Sequence, residues 1–247
     1  MSYYQYEDIN NAIVGLFTEA KAKDGRAGTV LDIGCGRGRL GLEVEKLGFR
    51  VTGIDDSAVA CELARTRLSE VVELNLNDFA SVEKTLGDRK FDWLMTADVL
   101  EHLPYPAETL DFYKKFLVPG GRLMLSLPNV AVWDNRLRLL MGRFDYRDSG
   151  TMDRTHLRFF TFRTARQMVE NAGFTPLHRT LEPGIVRAFL PLVKKMVGGQ
   201  GDPSSILESP SYRFYTSYVM PVERAIAGAL PGLLAFRTVM TAQLKAS

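Results

Sequence analysis

The chain has 247 residues, 46% of them hydrophobic and 24% charged, with a formal net charge of +2. That length supports one large domain with a substantial core, and the near balance of charge excludes a general nucleic-acid-binding field. Its two cysteines, Cys35 and Cys61, make neither a disulfide framework nor a zinc-ligand pattern.

The opening decapeptide, MSYYQYEDIN, carries acids and no basic-then-apolar stretch, so no signal peptide and a cytoplasmic location are expected. Tyr3, Tyr4 and Tyr6 precede a helix expected over 7–22, with Ile9, Ile13, Leu16, Phe17 and Ala20 on one side, and residues 1–28 read as an N-terminal helical flap. A strand over 29–33 then runs into three glycines at alternate positions, Gly34, Gly36 and Gly38, with Asp32 just before them. Glycine lets a backbone turn sharply and lets a flat ligand approach where a Cβ would collide. A helix over 38–47 closes at Gly48, and a strand over 50–54 ends at Asp55 and Asp56. Asp55 stands 21 residues after Gly34, near the ~20-residue offset at which an acid reaches a ribose in nucleotide-binding βαβ units.

Ser57 caps a helix over 58–68. Strands follow at 71–74 and 91–96, the second a near-continuous apolar run suited to a buried parallel strand. A helix over 107–116, a Pro-Gly-Gly turn, a strand over 122–127, a helix over 163–172 and a strand over 174–181 complete the core, 29–181. Residues 182–234, broken by six prolines, read as a helical lid or insertion before a last strand in 235–247. The uncharged part of that insertion falls far short of the ~20 apolar residues of a membrane span; a peripheral membrane contact or a homodimer contact stays open, as does a monomer. The alternation of periods specifies an α/β fold in a single domain: a Rossmann-like, seven-stranded, mostly parallel sheet with helices on both faces and a helical insertion before the last strand.

The glycine spacing narrows the ligand. Dinucleotides favour GxGxxG, but here the third position is Arg39, and no Gly-Lys-Ser/Thr follows to make a P-loop. A carboxylate at Asp32 repels a phosphate and attracts, directly or through water, the ammonium of an amino acid. These segments resemble the class I S-adenosylmethionine-dependent methyltransferases. The resemblance rests on 30–38, 54–57, 77–79 and 91–103 in that order, with 119–126 as a fifth segment, and covers roughly 28–181. It implies S-adenosyl-L-methionine as cofactor, held by Asp32, Gly34, Cys35, Gly36 and Gly38. Asp55 would take the ribose, with Asp56 and Ser57 beside it, and Asn77, Asp78 and Phe79 would meet the adenine. Ala97, Asp98, Val99 and His102 would lie along the methionine moiety. Cys35 also reads as a small packing residue.

Methyl transfer from a sulfonium is an in-line displacement for which alignment is worth ~7–11 kcal/mol, and a hydroxyl acceptor also needs a base. His156, in the 153–161 segment, resembles the Asp-x-Thr-His loop of bacterial small-molecule and glycan methyltransferases and the Thr-His loop of ubiquinone-pathway O-methyltransferases. It is the expected general base, with Asp153 orienting it or the acceptor. Arg154 and Arg158 can grip an anionic group, and Trp133 can line the entrance. The loop after the fourth strand lacks the Asn/Asp-Pro-Pro-aromatic sequence of DNA-base aminomethyltransferases. Glu101-His102 suggests a metal, but no second His or Asp cluster at ligand spacing accompanies it, so no metal is expected. The expected activity is methylation of a hydroxyl on a small molecule: a sugar, a lipid-linked glycan or a quinone-like phenol. N-methylation of a small amine and a catalytically inactive cofactor-binding scaffold remain alternatives.

Overall fold

The computed structural model describes residues 9–183 and 215–245. Helix α1 (Asn11–Asp24) starts where the Asn10 side chain accepts from the Ile13 N–H at 3.2 Å, and it stops at Gly25, whose φ of 70 suits glycine. The cap moves the helix start from the expected residue 7; the three tyrosines lie outside the described residues. There follow β1 (Thr29–Ile33), α2 (Arg39–Lys46), β2 (Arg50–Asp55), α3 (Ala58–Ala64), β3 (Glu70–Glu73), α4 (Phe79–Leu86) and β4 (Phe91–Ala97). Next come α5 (Pro106–Tyr113), β5 (Leu117–Pro128), α6 (Trp133–Leu140), α7 (Phe162–Asn171) and β6 (Phe174–Pro183). The chain ends in α8 (Met220–Ala229), α9 (Pro231–Leu234) and β7 (Ala235–Leu244).

Among the described residues the strands form one seven-stranded sheet, ordered β3-β2-β1-β4-β5-β7-β6. The first five are parallel to their neighbours, while β7 runs antiparallel to both β5 and β6. Alternate residues feed two cores. Leu31, Ile33, Leu94, Leu123 and Leu125 meet α4, α5 and α7 on one face. Val30, Val51, Trp93, Met95 and Met124 meet α1, α2 and α3 on the other. That two-sided burial is what the apolar strand sequences require. The strand order reverses between β1 and β4, the crevice at which open α/β sheets bind ligands beyond their carboxyl ends.

Three expectations change. The Pro-Gly-Gly segment is no free turn: β5 begins at Leu117, which pairs with Phe91, and pairing resumes with Arg122 opposite Trp93 after a register shift. Between the expected strand over 122–127 and helix over 163–172, where no element is expected, lies α6. Its Leu137, Leu139 and Leu140 are exposed, so it presents no inward apolar stripe for periodicity to reveal. Buried Asn135 anchors it instead, donating to the Val130 carbonyl at 3.0 Å and to Thr151 Oγ1 at 2.7 Å. Of the 182–234 insertion, 182–183 extend β6, 184–214 lie outside the described residues, and the remainder is helical.

Candidate active site

The glycine segment after β1 is shaped by backbone bonds to the end of β2. The Gly34 and Cys35 N–H groups both donate to the Ile54 carbonyl, at 2.8 and 3.0 Å. Gly36 donates its N–H to Asp55 Oδ2 at 2.8 Å, and Ser57 donates its N–H to Asp55 Oδ1 at 3.0 Å. Asp55 therefore faces the glycine loop, while Asp56 points to solvent and Ser57 caps α3 by accepting from the Ala60 N–H. Gly34, Gly36 and Gly38 have φ of 76, 52 and 74, the left-handed region. A Cβ on Gly34 would come within 2.5 Å of Val99 Cγ2 from the end of β4, whereas a Cβ on Gly36 would meet only open space.

Burial sets the electrostatics of this crevice. Asp32 is buried, and desolvation, with the Asp55 charge second, pushes its carboxyl up to about 8. Desolvation also raises Asp55 against the lowering effect of the Ser57 and Gly36 N–H groups. Cys35 is buried against Gly53, and burial together with Asp32 and Asp55 keeps its thiol protonated. At the end of β3, Asp78 caps α4, accepting from the Ser81 N–H at 3.2 Å and its hydroxyl at 2.6 Å. Those bonds lower its pKa. Asn77 is exposed, and the Phe79 ring stacks on Phe112 at 4.2 Å. The adenine expectation thus falls on a helix start that already has local work to do.

Beyond β4, Ala97 and Val99 are half-buried, and Asp98 adopts φ 55, the one positive φ of a non-glycine residue among the described residues. Its side chain accepts from the Ser126 hydroxyl at 3.0 Å and pairs with Arg237 at 3.1 Å; Arg237 also reaches Glu182 at 3.3 Å. A 3-10 turn, Leu100–His102, follows, and His102 Nδ1 faces the Thr155 carbonyl at 3.2 Å.

The 151–158 loop folds onto this turn: the Leu157 and Arg158 N–H groups both donate to the Glu101 carbonyl, at 2.8 and 3.0 Å. His156 is thereby brought beside His102, ring centroids 4.8 Å apart. The expected lack of a companion for Glu101-His102 is corrected here. The companion lies 54 residues downstream of His102 in sequence, so no local spacing reveals it. His156 Nδ1 lies 3.3 Å from the Thr151 carbonyl. That carbonyl, not the Asp153 carboxylate, orients the ring; Asp153 instead accepts from the Thr155 N–H and hydroxyl and shapes the loop. With Nδ1–H donating to a carbonyl, each imidazole carries its lone pair on Nε2. Desolvation lowers the pKa of both histidines, helped in His156 by the His102 charge. Glu101 is buried, and desolvation, then Asp98, raises its carboxyl well above the usual range. Arg154 is exposed and paired with Asp148 at 2.6 Å, Arg158 donates to the Pro104 carbonyl at 3.0 Å, and Trp133 opens α6.

A family model described as a methyltransferase domain matches residues 5–179. The chain belongs to the class I S-adenosylmethionine-dependent methyltransferases. The chain is 38% identical over 104 residues to the ubiquinone biosynthesis O-methyltransferase of Nitrosococcus oceani, covering 40% of this chain and 43% of that one. It is 32% identical over 113 residues to the protein of the same name from Colwellia psychrerythraea, covering 45% and 46%. The methyltransferase thus spans less than half the length of these curated relatives. Among solved structures it resembles a SAM-dependent methyltransferase from Archaeoglobus fulgidus, with TM-score 0.56, 18% identity and coverage of 93% and 94%. It also resembles magnesium protoporphyrin IX methyltransferase from Synechocystis PCC 6803 with bound SAH, with TM-score 0.57, 16% identity and coverage of 95% and 83%. At these identities the likeness speaks for the fold.

The crevice of the methyltransferase fits its cofactor, S-adenosylmethionine. The open space at Gly36 is a cradle that a Cβ would begin to fill, the Asp55 carboxylate accepts from the Gly36 N–H at its side, and Asp32, at the end of β1, is a buried acid. Two residues of this region escaped sequence reasoning. Arg237 gave no signal, because its partners come from the turn after β4 and from β6; Glu101 was visible only as a neighbour of His102.

Proposed function

We propose that this methyltransferase alkylates a hydroxyl oxygen of a small molecule, with a quinone-like phenol as the leading acceptor class. The observation that supports it best is the cluster of Glu101, His102 and His156 at the carboxyl end of β4, with lone pairs on both Nε2 atoms. A hydroxyl is a poor nucleophile until it loses its proton, and neutral imidazoles in a desolvated pocket are suited to receive it. An amine would need no such set. The names of the curated relatives point the same way.

On this reading the cofactor supplies an electrophilic methyl on a sulfonium. Asp55 holds the ribose hydroxyls, with Asp56 and Ser57 completing the turn; Asp32, largely protonated before the cofactor binds, ionises when the amino-acid ammonium comes beside it and pairs with it; Gly34, Cys35, Gly36 and Gly38 give the backbone close approach. Asn77, Asp78 and Phe79 border the adenine, and Ala97, Asp98, Val99 and His102 the methionine end. His156 Nε2 takes the acceptor proton, Asp153 keeps the loop in shape, and Arg154, Arg158 and Trp133 border the acceptor entrance. The test is transfer of isotopically labelled methyl from S-adenosylmethionine to matched catechol and amine acceptors. Labelled ether product is expected; labelling of amines alone would overturn the reading.

A further inference from the structure

We propose that Glu101, His102 and His156 bind one divalent transition-metal cation, as a two-histidine, one-carboxylate set at the carboxyl end of β4. The three side chains offer donor atoms that all lie within 4.8 Å of one another. Donors about 2.0–2.2 Å from a shared ion stand roughly 3 to 4.3 Å apart, so small side-chain rotations close the set. The second observation is independent: Glu101 is 1% exposed, yet neither carboxylate oxygen has a hydrogen-bond partner among the described residues. A buried, unpartnered carboxylate is costly, and a coordinated cation is one of the few things that offsets the cost. Third, the Thr155 and Thr151 carbonyls hold the two Nδ1 positions. That is the outer-shell arrangement that fixes a metal-ligating imidazole to present Nε2.

The site is built before any ion arrives, because the Leu157 and Arg158 N–H groups clamp the histidine loop onto the Glu101 carbonyl. Asp98 is committed to Ser126 and Arg237, and Asp153 to Thr155, so neither is a further ligand, although Asp98 and Asp153 add negative charge nearby and Arg237 adds a compensating positive one. Two nitrogens and one oxygen suit Mn²⁺, Fe²⁺ or Zn²⁺ better than Mg²⁺, which prefers oxygen donors. Three protein ligands leave positions open for an acceptor oxygen, whose hydroxyl the ion acidifies. With the ion bound, His156 serves as its ligand in place of the base role given above, and the proton of the acidified hydroxyl passes to solvent water. This role for the ion rests on the O-methylation reading above; cation binding itself does not.

The experiment is titration of the chelator-treated chain with MnCl2, followed by the EPR signal of free Mn²⁺, with ZnCl2 as competitor. One saturable site per chain, displaced by Zn²⁺, is expected, weakened by about 10- to 100-fold or more in Glu101→Gln and His156→Asn. Circular dichroism and S-adenosylhomocysteine titration of both variants verify that they fold. His102→Asn serves in place of a variant that does not. Absence of a saturable site, or a site unchanged in the folded variants, overturns the proposal. Failure of the acceptor reading looks different: Mn²⁺ still binds, but catechols stay unlabelled. With acceptor in hand, activity lost to EDTA and restored by Mn²⁺ assigns the ion a catalytic role, and activity indifferent to EDTA refutes that role.

Discussion

Alanine at Gly36 and at Gly34 should separate ligand binding from folding. Both positions have positive φ, 52 and 76, and a left-handed non-glycine residue costs about 1–2 kcal/mol. At Gly36 nothing lies within 4 Å of the added methyl, so that is the whole folding cost, a fall in Tm of roughly 2–8 °C for a domain of this size. The methyl then projects into the cofactor crevice, and displacing one good contact there weakens S-adenosylhomocysteine about tenfold or more. At Gly34 the methyl would stand 2.5 Å from Val99 Cγ2 and 2.8 Å from its Cγ1. Overpacking adds about 1–3 kcal/mol, so Gly34→Ala should be markedly less stable than Gly36→Ala. Urea denaturation and isothermal titration calorimetry read the two effects separately. A Gly36→Ala protein that binds S-adenosylhomocysteine as tightly as the parent would refute the placement of the cofactor at this bend.

Three further outcomes are expected. Asp32, near 3.9 in an unfolded chain and pushed up to about 8 when folded, makes the folded state hold more protons between those values. Stability should therefore fall as pH rises through that window, by at most about 1.4 kcal/mol per pH unit. Asp32→Asn should flatten the slope in urea melts from pH 5 to 8; an unchanged slope rules Asp32 out as its source. His156→Ala should lower kcat for a hydroxyl acceptor by about 10²-fold or more while leaving S-adenosylhomocysteine binding intact by calorimetry; an undiminished rate removes His156 from the reaction. Arg237→Met leaves Asp98 and Glu182 without their shared cation, and should cost about 3 kcal/mol, seen as a lower Tm and a weaker β6–β7 edge in hydrogen exchange.

The sheet was legible because each strand is written in residues that suit two buried faces, and the cofactor bend because glycines and acids recur at fixed offsets. Ser57 was readable as a cap for the same reason: its effect is local. What escaped was carried by distance or by polarity. Helix α6 hangs on Asn135 rather than on an apolar stripe. The pairing of His156 with His102 depends on a loop that returns 54 residues later. Asp98 takes φ 55 and meets Ser126 and Arg237, and no spacing rule encodes that. Asp78 shows the reverse case, in which one local signal serves two readings: a helix cap and a ligand contact.

The position of β7 bears on how the molecule is made. Arg122 pairs with Gln243, and Phe174 with Leu244, so the wedge that joins β5 to β6 is supplied by residues translated well after both. Until it arrives, a growing chain carries two open sheet borders, the kind of surface that recruits other chains. Closing contacts so far apart in sequence is intrinsically slow. A cut or fusion that disturbs 235–244 should therefore split the sheet along its length instead of trimming its rim.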